Sequence, residues 1–220
     1  MKFFIDTASL ADIKEAHELG IIDGVTTNPS LMAKEHISGD KAVVEHYAAI
    51  ADIVDGDVSA EVISTDFEGM KAEAEKLAAI APNIVVKVPM IREGVKALSW
   101  CYRNGIRTNC TLVFSSAQAI LAAKAGATYV SPFIGRIDDI NWQGMQLIEE
   151  IAEIYAVQGF DTEILAASIR TSKHIVEAAR AGADVVTCPL KSYEGLFKHP
   201  LTDIGLAKFL ADHKKAADNA

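Results

Sequence analysis

Apolar and polar positions follow two different periods along the chain. Eight short runs rich in β-branched and aromatic residues alternate with a period near two: FFIDT (3–7), GVTTN (24–28), VSAEVI (58–63), NIVVKVP (83–89), RTNCTLVF (107–114), TYVSPFIG (128–135), EILAAS (163–168) and DVVTCP (184–189). Between them lie longer Ala/Leu/Glu/Lys-rich stretches whose apolar positions recur at helical spacing. Glycine marks many of the helix-to-strand joins, at Gly20, Gly105, Gly126 and Gly182. A residue without Cβ suits the left-handed position that ends a helix, so each reads as a cap feeding the next strand. Eight βα units predict an α/β fold, a (β/α)8 TIM barrel, with an open doubly wound sheet as the alternative.

After the eighth strand, residues 193–197 and 203–213 read as extra helices within a C-terminal helical extension over 192–220. The second is amphipathic through Ile204, Leu206, Ala207, Phe209 and Leu210, and that face is expected to cover either the barrel or a neighbouring subunit. No Ser/Gly/Pro-rich linker divides the 220 residues, so 1–220 reads as one domain.

Strand parity assigns faces. Residues two apart on a strand share a side, so Asn109 pairs with Thr111, Ser131 with Phe133, and Ser168 with Arg170. If Asp6, Asn28, Glu61 and Lys87 face the barrel axis with them, polar groups from about seven strands converge at the strand C-terminal ends, where barrel enzymes carry their active sites. The intervening Ile5, Val86, Val88, Cys110 and Leu112 are then expected to face the helices.

Composition narrows the partners. The formal net charge of -9, from 21 Lys plus Arg against 30 Asp plus Glu, leaves no basic footprint for nucleic acid or an anionic membrane. No apolar run approaches the roughly 20 residues needed to span a bilayer. The three cysteines, Cys101, Cys110 and Cys188, lack metal-ligand spacing, and the N-terminus already reads as a strand, so a reducing cytoplasm is the expected setting. The six histidines form neither His-x-Glu nor His-Glu-x-x-His, and no glycine-rich dinucleotide turn follows a strand. No metal and no cofactor is therefore expected.

Lys87 is the residue that chemistry must explain. It sits inside the apolar run NIVVKVP, where an unpaired ammonium costs several kcal/mol or more, so it must be neutralised, paired or used. A neutral lysine amine can attack a ketone to form a Schiff base, and Asp6 and Glu61 are placed to move the protons such chemistry needs. The plainer reading is a structural ion pair between Lys87 and one of those carboxylates. Plainer readings exist for the others too. Asn28 before Pro29 can start a turn, Thr111 can be an ordinary strand residue, Ser168 and Arg170 can cap the following helix, and Arg136 can pair with Asp138 or Asp139 on the surface.

DGVTTNPSL (23–31), IVVKVP (84–89), NCTLVFSSAQA (109–119) and SPFIGRIDD (131–139) together resemble the motifs of transaldolases. The resemblance runs from residue 3 to about residue 200, at the length of the small subfamily that also contains fructose-6-phosphate aldolases. It implies a barrel with a Schiff-base lysine on the fourth strand, the place of Lys87. It further implies that Asp6 exchanges the C4 hydroxyl proton, that Glu61 and Thr111 hold a proton-shuttling water, and that Asn28, Asn109 and Ser131 bind hydroxyls of a dihydroxyacetone unit. Arg136, Ser168 and Arg170 are implied to hold the phosphate of a sugar-phosphate substrate. Phe133 and Glu61 stand where the family's fructose-6-phosphate aldolases carry tyrosine and glutamine, which implies transfer rather than aldol cleavage. Ile91 departs from the family's usual threonine or serine and removes a helix cap worth about 1 kcal/mol. The resemblance also implies a homo-oligomer, with a decamer built from pentameric rings as the pattern of the family's small members.

Overall fold

The computed structural model describes residues 1–218. Its strands are β1 (Lys2–Asp6), β2 (Gly24–Thr26), β3 (Asp57–Glu61), β4 (Ile84–Pro89), β5 (Thr108–Val113), β6 (Tyr129–Pro132), β7 (Glu163–Ala166) and β8 (Val185–Cys188). They are parallel and close into one barrel in sequence order, β8 pairing back onto β1. The helices are α1 (Leu10–Glu18), α2 (Pro29–Lys34), α3 (Asp40–Ile53), α4 (Phe67–Ala78), α5 (Arg92–Arg103), α6 (Ser116–Lys124), α7 (Ile134–Asp138), α8 (Gly144–Gln158), α9 (Ser172–Ala181), α10 (Leu190–Phe197) and α11 (Pro200–Asp218). The barrel, and not the open sheet, is the architecture.

Local chemistry explains many of the boundaries. Ser9, Asp66, Ser115 and Thr171 each accept a hydrogen bond from the third backbone amide that follows, capping α1, α4, α6 and α9. Ile91 occupies the same position before α5 and makes no such bond. Gly20, Gly105, Gly126 and Gly182 have φ of 68°, 72°, 85° and 95°, the left-handed conformation expected of them.

Two apolar layers follow from parity. The larger lies between the strands and the helices and includes Ile5, Val25, Val86, Val88, Cys110, Val130 and Val186. The smaller fills the barrel: Phe4, Val85, Tyr129, Leu165, Ala167 and Val185, with Phe133 packed against it. Two residues beyond four of these plugs, on the same inward face, stand Asp6, Lys87, Ser131 and Thr187. One layer of apolar side chains therefore supports a layer of polar ones at the C-terminal end of the strands.

Leu112 departs from the expected face. It is 43 % exposed, and its φ of 59° falls where the β5–β6 register shifts between Cys110 and Val113. The bulge adds a residue to the strand, so Val113 enters the helix-facing core in its place. The C-terminal helices are longer than their sequence pattern, and α11 buries none of its residues. Ile204, Leu206, Phe209 and Leu210 are all more than half exposed, so the apolar face of α11 does not cover the barrel of its own chain.

Candidate active site

At the C-terminal end of the barrel a cavity of about 160 Å³ is lined by Asp6, Thr26, Asn28, Lys87, Ser131, Phe133, Arg136, Ala167, Ser168 and Thr187. Register brings Glu61, Lys87 and Asn109 side by side, since Lys87 is matched with Glu61 on β3 and with Asn109 on β5. Lys87 is only 5 % exposed. Its Nζ donates to the carbonyl of Thr27 at 2.9 Å and lies 3.1 Å from Glu61 Oε2. The ion pair of the plainer reading is thus present, and the amine still lines the cavity. Pairing and a place on the cavity wall coexist here.

Asp6 accepts from Thr26 Oγ1 at 2.7 Å, and Thr26 Oγ1 lies 2.7 Å from Thr187 Oγ1. The single proton of Thr26 is committed to Asp6, so Thr187 donates to Thr26 and both hydroxyls polarise toward the carboxylate. Ser131 donates to Asn109 Oδ1 at 2.7 Å, and Asn109 Nδ2 donates to Ser59 Oγ at 3.1 Å. With its proton spent, Ser131 offers the cavity an acceptor. Asn28 accepts from the Leu31 amide at 3.0 Å and caps α2, which leaves its NH2 group as the donor on the cavity wall. Its turn-starting role and its place in the cavity are both real.

Glu61, Asn109, Thr111 and Arg170 are not on the cavity lining. Glu61 acts on the cavity through Lys87, and Asn109 through Ser131. Thr111 is 1 % exposed, and its Oγ1 is buried without a hydrogen-bond partner. Such an orphan hydroxyl costs about 1–3 kcal/mol unless something bonds to it, which marks a place for a water or a ligand group.

Arg136 and Arg170 differ. Arg136 stands on the lining, and among the described residues no hydrogen bond or ion pair engages it. Arg170 instead gives both terminal nitrogens to Asp139. Hydrogen bonding from Arg170 holds the Asp139 carboxyl below its ordinary value and raises the guanidinium in turn. The surface pair expected for Arg136 thus belongs to Arg170. Ser168 reaches the lining by a conformation that parity cannot supply: it lies beyond β7 with φ of 58°. The Gly135 amide donates to the Ser168 carbonyl at 3.1 Å. A Cβ on Gly135 would come within 2.3 Å of that oxygen and 2.7 Å of Arg170 Nε, so the close approach of the two loops requires glycine.

Thr26 and Thr187 went unread in the sequence, although both share parity with inward residues, Thr26 with Asn28 and Thr187 with Val185. Thr27 contributes through its main chain, which no side-chain pattern reveals. Among the described residues no group of three or more His, Cys, Asp or Glu is arranged to hold a metal ion, and no helix is long and apolar enough to cross a membrane.

Comparison with known proteins agrees with this geometry. A solved thiamine phosphate pyrophosphorylase from Pyrococcus furiosus superposes with a TM-score of 0.60 over 84 % of each chain at 14 % identity, a likeness of fold. Relatives called "Probable transaldolase" are 66 % identical in Cytophaga hutchinsonii, over 98 % of this chain and 99 % of that one, and 64 % identical in Parabacteroides distasonis, again over 98 % and 99 %. The Transaldolase/Fructose-6-phosphate aldolase signature matches residues 3–220, and the chain belongs to that family.

Proposed function

We propose that the protein is a transaldolase that moves a dihydroxyacetone unit from sedoheptulose 7-phosphate to glyceraldehyde 3-phosphate, giving erythrose 4-phosphate and fructose 6-phosphate, as in the pentose phosphate pathway. The observation that carries the reading is Lys87: a buried amine beside a carboxylate, opening into a cavity whose rim holds Arg136. The names of the relatives and the family support the same class of reaction.

In this reading the Lys87 amine attacks C2 of the ketose phosphate and, after loss of water, forms an iminium. Asp6 takes the proton from the C4 hydroxyl while the C3–C4 bond breaks. The bonding electrons become an enamine on Lys87, and the first aldehyde leaves. The enamine then adds to the carbonyl carbon of the second aldehyde, Asp6 returns the proton, and water releases the product. Glu61 and Thr111 hold the water that exchanges protons during iminium formation and hydrolysis. Asn28 and Ser131 bind the hydroxyls of the three-carbon unit, and Asn109 orients Ser131 for that contact. Arg136 and Ser168 bind the phosphate, for which the guanidinium donor fork is suited, and Arg170 joins them by giving up its pair with Asp139. No cofactor takes part. The cytoplasm fits the three buried free thiols, and the exposed apolar face of α11 fits a homo-oligomer in which another copy covers it, with a decamer as the family pattern.

Fructose-6-phosphate aldolase is the second reading, and Phe133 argues against it. Its ring packs edge-on against Phe114 at 5.7 Å and offers no proton to the enamine, so the carbanion equivalent waits for an aldehyde. A coupled assay tests this. Product formation should require both the ketose donor and an added aldehyde, and Phe133→Tyr should raise release of free dihydroxyacetone severalfold. Release of dihydroxyacetone by the unaltered protein at the rate of transfer would make it an aldolase instead. Binding of sugar phosphates without any turnover would leave a non-catalytic binding protein.

A further inference from the structure

The ladder between β2 and β3 stops one bond short of where its register would carry it. Thr26 is matched with Ser59, and the Thr27 amide donates to the Ser59 carbonyl at 3.3 Å, as a regular parallel pair requires. The next bond of that pattern would run from the Glu61 amide to the Thr27 carbonyl. Instead the Glu61 amide donates to Tyr47 Oη at 3.2 Å, and the Thr27 carbonyl accepts from Lys87 Nζ at 2.9 Å. Tyr47 projects from α3, is 2 % exposed, and also lies 2.9 Å from Thr27 Oγ1.

The direction of these bonds follows from counting protons. Thr27 Oγ1 donates its only proton to the Ser59 carbonyl at 3.1 Å, so the phenol proton of Tyr47 goes to Thr27 Oγ1. The phenol oxygen is then free to accept from Glu61. Burial, above all, raises the Tyr47 pKa and keeps the phenol protonated, as this pattern needs.

We propose that Tyr47 is a positioning residue for Lys87. Its hydroxyl takes the Glu61 amide and thereby leaves the Thr27 carbonyl for the lysine amine. The same hydroxyl fixes the backbone of Glu61, whose carboxylate is the amine's other partner. One side chain from the helical layer thus sets both groups that hold Lys87. The catalytic consequence rests on the Schiff-base reading of Lys87; the geometric one does not.

Tyr47→Phe keeps the ring and removes the hydroxyl, and both a crystal structure and steady-state kinetics of the variant read the effect. The Glu61 amide should close onto the Thr27 carbonyl, with Lys87 Nζ displaced beyond about 3.5 Å from that oxygen. The kcat for transfer should fall by on the order of 10- to 100-fold with KM for the ketose donor within about twofold, since a misaimed nucleophile slows chemistry more than binding. Thr27→Val, which removes the acceptor of the phenol proton, should show the same split, and Thr27→Ser, which restores a hydroxyl, should recover it. An intact Lys87 to Thr27 bond with unchanged kcat in Tyr47→Phe overturns the proposal, as does Thr27→Ser behaving like Thr27→Val. Should Tyr47→Phe not fold, the two Thr27 variants decide by the same split. Absence of transfer by the unaltered protein would sink the proposed reaction, and the crystal structure would then decide the role of Tyr47 alone.

Discussion

The two ends of the barrel treat charge in opposite ways. At the N-terminal end of the strands, Lys2 pairs with Glu163 at 2.8 Å, Arg107 with Asp57 at 2.7 Å, and Tyr129 donates to Asp57 at 2.8 Å. Each of these polar groups has its partner within the protein, and Tyr129 closes the floor with its ring against Phe4. At the C-terminal end Lys87 is paired yet opens onto a cavity, Thr111 keeps a buried hydroxyl with no partner, and Arg136 makes no hydrogen bond or close ion pair among the described residues, acting on Asp139 only through its charge. The same layered interior supports both ends. The difference teaches that the charged groups of the floor serve closure, whereas Lys87 and Arg136 at the mouth face a cavity; a buried hydroxyl without a partner occurs at both ends, on Thr108 and on Thr111.

Substitutions at the two ends should therefore fail in different currencies. The largest effect is expected from Lys87→Ala, which should lower transfer by on the order of 10⁶-fold, the scale of losing a nucleophile, while circular dichroism shows the fold retained. Retained turnover would put the chemistry elsewhere. Next comes Asp6→Asn, whose amide oxygen can still accept from Thr26 but whose side chain cannot exchange a proton. Its kcat should drop by about 10² to 10⁴, the usual worth of a general acid–base group, and a fall in KM alone would deny it that role. At the floor, Asp57→Ala should leave kcat and KM within about twofold. It strands the Tyr129 phenol and removes the ion pair of the half-exposed Arg107, a loss of about 1–3 kcal/mol, and thermal unfolding should shift down by about 2–4 °C for each kcal/mol. Loss of activity without loss of stability there would erase the contrast between the ends. The smallest effect is expected from Lys2→Ala, since an exposed pair is worth about 0–1 kcal/mol, and its melting temperature should move by no more than a few degrees.

Sequence patterns made one part of this site legible and hid another. Alternation along a strand depends only on backbone geometry, so Asp6, Lys87 and Ser131 could be placed on the inner face from parity, and the eight runs implied the closed sheet. Parity fails where the backbone leaves the extended conformation. Leu112 turned outward at a bulge, and Ser168 reached the cavity through a left-handed residue after β7. Neither event leaves a local sequence mark. Contributions from the main chain were invisible for another reason: the Thr27 carbonyl that holds Lys87 has no side-chain signature, and Tyr47 occupies an ordinary core position of an amphipathic helix. Asp139, offered by the sequence as a surface partner of Arg136 three residues away, is instead bonded across the loops to Arg170.

The central claim is that Lys87 forms the covalent intermediate. Incubation with fructose 6-phosphate, reduction with borohydride, and mass mapping of the peptides test it directly. The expected result is a single adduct of reduced dihydroxyacetone mass on the peptide carrying Lys87, absent from Lys87→Ala. A folded protein that gains no adduct, or gains it on another lysine, would contradict the claim and return Lys87 to a purely structural pair with Glu61.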